Sequence, residues 1–176
     1  MKLSAYFSFL ISAVLLMTSV PLFSQSHVHD DEHGEAHHAH GDHQHEVGVS
    51  LGATYLEHDE AFAPIIHLHY SKRLGEDDLL KHFGIGVGLE TIIFEEMHYN
   101  VMGVLNVYPS GGLEISISPG ILFIEEDDDY TSAFSFHTEI GYAFDFGFVE
   151  AGPVIGASFS GDDKHYSIGI HFGKGF

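Results

Sequence analysis

VGVSLGATY, residues 47–55, alternates without a break: Val47, Val49, Leu51, Ala53 and Tyr55 are apolar, and Gly48, Ser50, Gly52 and Thr54 between them are small or polar. A period of two sends successive side chains to opposite faces of an extended chain, so this stretch predicts a β-strand with one greasy face and one small face. The same writing returns in FGIGVGLETI (83–92), LEISIS (113–118), FSFHTEIGYAF (134–144) and HYSIGIHFGKGF (165–176). Residues 62–72, 99–108 and 149–159 follow it less cleanly. Together they make eight strands, joined by EHDEA, SKRLGEDDLLK, EEM, PSGG, EEDDDYT, DFG and SGDDK, each short enough for antiparallel neighbours. Pro119 and Pro153 fall within this pattern and predict bulges or strand ends, because proline cannot donate to a ladder.

The environment of the two faces decides the class. A soluble barrel of the lipocalin type hides its apolar face and shows water a charged one. Here the second face is mainly Gly, Ser, Ala, Thr, Glu and His, with almost no lysine. The expectation is therefore inverted, with apolar residues outside and small polar ones inside, as in a barrel that crosses a bilayer. Glycine-rich inward faces suit eight strands, whose lumen is only wide enough to be filled by side chains. Tyr55, Tyr70, Tyr99, Phe134, Tyr142, Phe144, Phe159, Tyr166 and Phe176 fall near strand ends, where interfacial girdles lie.

Over residues 47–176 the chain resembles the small eight-stranded outer-membrane proteins of Gram-negative bacteria. Tyr166, Ile168, Ile170 and Phe172, in phase before the terminal Phe176, resemble the signal by which those proteins are recognised for insertion; Lys174 departs from it, where a hydrophobic residue is usual. The resemblance implies an all-β fold, an eight-stranded antiparallel up-and-down transmembrane β-barrel, non-conducting, with both chain ends in the periplasm. It also implies outer-membrane lipid and lipopolysaccharide as surroundings, the acidic outer connectors being able to hold bridging divalent cations.

The N-terminal region has a different composition. Lys2, the apolar run of residues 3–23 and then Ser24 and Gln25 have the order of a secretory signal, so residues 1–25 are expected to be removed. Residues 26–46, SHVHDDEHGEAHHAHGDHQHE, are expected to form a disordered tail carrying His27, His29, His33, His37, His38, His40, His43 and His45 among acids. Neutral imidazole is a common ligand for zinc, nickel and copper, and such dense, irregular spacing defines many overlapping weak sites rather than one tetrahedral one. The alternative is a solvated linker whose charge changes as its histidines protonate. All 26 acidic residues lie beyond residue 25, which argues against nucleic acid as a partner. The chain has no cysteine, and so neither disulfides nor lipidation through one.

By strand phase His67, His69, Glu90, Glu114, His137, Glu139, Glu150, His165 and His171 point into the barrel, and no lysine or arginine does. A carboxylate enclosed without a cation must find another partner. The expectation is a polar network of His67, Glu90, His137, Glu139 and His171, with a buried metal site as the sharper alternative. Three functions follow: a barrel whose periplasmic tail binds or buffers divalent transition metals, a structural or interaction barrel with no metal role, and a lipid A esterase. The last rests on His165-Tyr166-Ser167, which resembles the His-x-Ser element of lipid A 3-O-deacylase but lacks the asparagine that follows it there, Ile168 standing in its place. The reading favours no enzyme.

Overall fold

The structure, a computed structural model, describes residues 43–75, 78–109, 111–126, 129–161 and 163–176. Its strands are β1 (His45–Leu56), β2 (Ala61–Arg73), β3 (Phe83–Ile92), β4 (His98–Val107), β5 (Leu113–Glu126), β6 (Asp129–Tyr142), the two-residue β7 (Phe144–Asp145), β8 (Glu150–Ser160) and β9 (Asp163–Gly175), with one 3-10 turn at Leu80–His82. Each long strand pairs antiparallel with its sequence neighbour, β9 returns to β1, and β6 pairs with β8. The sheet is closed, which leaves no open edge among the eight long strands. β7 is the end of β6 resumed in the same register against β8 after a break at Ala143, whose amide donates instead to the Gly112 carbonyl at 2.9 Å.

The two faces divide as the alternation predicts. Ile85, Val87, Ile117, Phe134 and Ile168 are exposed, Ile168 by 65%, whereas Thr54, Ser118 and Ser135 are wholly buried. A water-soluble barrel has the opposite arrangement. The lumen is less uniformly polar than expected: Met102, Val104, Leu122 and Val154 are buried, and Leu56, Ala63, Ile65 and Ile92 form an apolar cluster near the β1–β2 turn. Aromatic residues near strand ends pack on one another, Tyr55 with Phe62 across β1 and β2 at 5.1 Å between ring centroids and Tyr142 with Phe144 along one strand at 5.0 Å.

Four expectations need correction. β1 begins at His45 rather than at residue 47, because His45 exchanges backbone hydrogen bonds with Phe176 (3.1 and 2.9 Å). β5 runs for 14 residues, well past 118, and most of EEDDDYT is ladder, with Glu125 opposite Tyr130 and Glu126 opposite Asp129. Acidic side chains can ride a ladder that stands clear of the bilayer. The prolines make no bulge: pairing resumes in unchanged register on both sides of Pro119 and Pro153. Pro119 is exposed on the outer face, and the β4–β5 ladder only loses its bridges beside it, between Met102–Gly120 and Leu105–Ile117. Finally, Arg73 ends β2 on the inward side, its guanidinium carbon 4.3 Å from the centre of the Tyr108 ring, so one cation does stand at the lumen's rim. At the exposed β2–β3 connection Lys81, 2.9 Å from Asp78, holds that carboxyl below its usual range.

Close backbone approach explains two of the glycines. A Cβ on Gly86 would collide with the Tyr70 carbonyl and one on Gly152 with the Tyr142 carbonyl, whereas one on Gly103 would meet nothing within 4 Å. Gly86→Val is expected to abolish the heat-modifiable, compact band of a folded barrel on cold electrophoresis, and Gly103→Val to leave it intact. Equal behaviour of the two variants would contradict this packing.

Candidate functional site

β2 carries His67, His69 and Ser71 on its inward face, all buried, and the barrel's closure brings carboxylates from β1, β3 and β6 to meet them. Two clusters result. In the first, at the end of the barrel where β1 starts and β9 finishes, Glu46 Oε1 lies 3.4 Å from His171 Nε2 and 3.6 Å from His69 Nε2. The two imidazoles stack with centroids 5.1 Å apart and planes 12° from parallel. His171 is held from behind, its Nδ1 3.2 Å from the Ser50 hydroxyl. Neither Nε2 has a hydrogen-bond partner, although both are buried and aimed at the same carboxylate oxygen.

Glycine makes room for this arrangement. A Cβ on Gly48 would run into the rings of both His69 and His171, and one on Gly173 would sit 2.7 Å from Glu46 Oε1 and 2.9 Å from His171 Nε2. The small inward face of VGVSLGATY is therefore the space that two imidazoles fill.

The second cluster lies one inward residue further along β2. Glu139 Oε2 is 3.2 Å from both His67 Nδ1 and His137 Nε2, and the other His137 nitrogen, Nδ1, is 3.2 Å from Glu90 Oε2. Glu90 and His137 are almost fully buried, at 3% and 1% exposure. The His67 and His69 rings are 5.6 Å apart, so the clusters are neighbours. A cavity of about 20 Å³, room for roughly one water or ion, is lined by His67, His69, His171, Glu114 and Glu139 and connects them.

Of the expected network, His67, Glu90, His137 and Glu139 converge, whereas His171 belongs to the other cluster. Glu46 was hidden by its position at the end of a histidine-rich stretch; extending the phase of residues 47–55 back by one residue would have found it. His69 and Glu114 were placed inward correctly without being joined to a partner. His45 is not a free tail ligand: it is in β1, where Nδ1 is 2.7 Å from the Tyr70 hydroxyl and the ring stacks against Phe176. His43 is exposed. His27, His29, His33, His37, His38 and His40 lie outside the described residues. His165 and Ser167 both face the lumen, and His165 is buried with its ring 5.6 Å from that of His98, so this pair offers no site to a lipid acyl ester.

No protein-family profile matches the chain, and no curated protein matches its sequence. Solved structures share its backbone path. Neisserial surface protein A superposes with a TM-score of 0.54 at 4% identity, over 75% of this chain and 96% of that one. Ail, the attachment invasion locus protein of Yersinia pestis, superposes at 0.53 with 12% identity, over 76% and 99%. The chain has the fold of the small eight-stranded outer-membrane β-barrels. At these identities the likeness is one of architecture, and the chemistry of this barrel must be argued from its own side chains.

The spacing of those side chains is compatible with hydrogen bonds, as at the two 3.2 Å contacts of Glu139 Oε2, and with the ligand spacing of a shared ion. Charge-assisted hydrogen bonds run at about 2.7–2.9 Å. Ligand atoms bound to one tetrahedral zinc at about 2.0–2.2 Å stand roughly 3.3 Å from each other. The nitrogen-to-carboxylate distances in the two clusters, 3.2, 3.2, 3.4 and 3.6 Å, fall around the second value. In each cluster the three candidate ligand atoms lie within 4.8 Å of one another.

Proposed function

We propose that this protein is a non-conducting barrel of the outer membrane that binds and buffers divalent transition metals, zinc, nickel or copper, at its periplasmic end. One observation carries the reading. Glu46, His69 and His171 converge, with two imidazole nitrogens that make no hydrogen bond, where the histidine-rich segment joins the barrel, so loosely held ions and a defined three-ligand site are contiguous in the chain. The tail, with His27, His29, His33, His37, His38 and His40, collects; the mouth of the barrel retains. Two imidazoles and a carboxylate form a borderline donor set, which favours these ions over calcium or magnesium. The reading places both chain ends in the periplasm, as the even strand count and the signal-like residues 1–25 suggest.

The Yersinia pestis protein has also been solved with the heparin analogue sucrose octasulfate. A polyanion here would meet Glu57, Asp59 and Glu60 on one turn and Glu95 and Glu96 on another, which disfavours that kind of ligand.

Calorimetric titration of the folded mature chain with zinc, nickel and copper tests the proposal. Replacing the six tail histidines by asparagine is expected to remove the weak equivalents and keep tight binding. Gly173→Ala, which leaves every ligand in place but fills the space between Glu46 and His171, is expected to weaken the tight site at least tenfold. Unchanged binding in both variants would overturn the proposal and leave a barrel without a metal role. Acidification from about pH 7.5 to about pH 5 should release the ions, because protons compete with the metal for the imidazole nitrogens; retention at the lower pH would count against histidine ligation.

A further inference from the structure

The deeper cluster need not be only a hydrogen-bonded network. We infer that His67, His137 and Glu139 form a second transition-metal site inside the barrel, with Glu90 orienting His137. The inference extends the metal reading but stands on its own residues, and it would survive failure of the tail or of the mouth site.

Three observations support it. The first is the order of contacts along His137. Its Nε2 faces Glu139 while its Nδ1 faces the buried Glu90 carboxylate at 3.2 Å. A carboxylate behind a histidine whose other nitrogen binds the ion is a recurrent outer-shell arrangement, because it fixes the tautomer and raises the basicity of the ligating nitrogen. Glu90 is enclosed at 3% exposure with its Oε2 3.2 Å from His137 Nδ1, close enough for that pairing.

The second is that one oxygen, Glu139 Oε2, faces two imidazole nitrogens at the same 3.2 Å. For both contacts to be hydrogen bonds, that oxygen must accept two long ones from nitrogens that each hold a proton. An ion among the three atoms satisfies them together, and the cavity beside them borders His67 and Glu139.

The third is charge. Glu46, Glu90, Glu114 and Glu139 line the two clusters and their shared cavity, beside four histidines and with Arg73 only at the rim. Four carboxylates against a single arginine leave the interior short of positive charge, which bound divalent ions would supply. A buried charge of that size left unbalanced would be strongly unfavourable.

The test uses the full mature chain with its six tail histidines changed to asparagine, folded in lipid, loaded with zinc and then with cobalt, and freed of loose ions by gel filtration. Elemental analysis is expected to find two ions per chain, falling to one in His137→Asn and to one in His171→Asn, with cobalt giving the intense visible bands of a tetrahedral site in each single variant. Heat-modifiable migration establishes that each variant is folded. Glu90→Gln, which removes no ligand, is expected to keep the stoichiometry and weaken the inner site about 10–100-fold. One ion in the parent chain, lost with His171→Asn and untouched by His137→Asn, would overturn the inference while preserving the mouth site. Two ions in a folded His137→Asn variant would overturn it as well.

Discussion

With metal chelated, His137→Ala is expected to lower the unfolding free energy by about 3–5 kcal/mol, the range for breaking a buried charged contact from one side. The residue is 1% exposed and stands between two carboxylates, Glu90 on one ring nitrogen and Glu139 on the other. Truncation leaves both acids facing a space that nothing else among the described residues fills with a hydrogen bond or ion pair to Glu90. The double variant His137→Ala with Glu90→Gln should regain part of the loss, because an amide is less costly to enclose than an uncompensated carboxylate. Urea unfolding from lipid vesicles gives both numbers. A single variant within about 0.5 kcal/mol of the parent, the usual spread for surface changes, would mean that the interior acids do not depend on this imidazole.

Ile168→Arg should be nearly as damaging for the opposite reason. Ile168 lies near the middle of β9, 65% exposed, between Ala53 of β1 and Ile155 of β8. In water an arginine there would be harmless. On the lipid face near the bilayer midplane it is expected to cost about 2–4 kcal/mol. The same substitution at Lys164, already exposed on β9 and 3.8 Å from Glu57, should change stability by less than about 1 kcal/mol. Equal effects at positions 164 and 168 in vesicles would indicate that the outer surface of the strand meets one medium throughout.

The fold was readable because its two faces are written in different alphabets. Val47 to Tyr55 and Phe83 to Ile92 alternate so regularly that phase alone places every side chain, and the inward glycines declare a lumen crowded by its neighbours. β4 blurred the signal because Met102 and Val104 turn inward, putting apolar residues on both faces. The second half of β5 was obscured by Pro119, which removes ladder bonds on one side without displacing the strand. Acidic ends misled in the same way, since a ladder such as that of Glu125 and Tyr130 needs no apolar face once outside the bilayer.

The candidate site was half legible for a different physical reason. Phase tells which way His67, His137 and Glu139 point, but which of them meet depends on the stagger around a closed barrel, and that is a property of all eight strands at once. His171 therefore went to the wrong group, and its true partner, Glu46, was masked by a composition that reads as tail. His67 and Glu90, direct neighbours across the β2–β3 ladder, were the pair that strand register alone could have joined.

The inversion of the barrel carries everything else, and its most direct test needs no substitution. With isoleucine methyl groups labelled and the protein folded in lipid, nuclear Overhauser contacts to lipid acyl chains can be read residue by residue. Ile85, Ile117, Ile155, Ile168 and Ile170 are expected to show them, and the buried Ile65 and Ile92 to show none. Acyl-chain contacts at Ile65 and Ile92 with silence at Ile85, Ile117 and Ile168 would contradict the account.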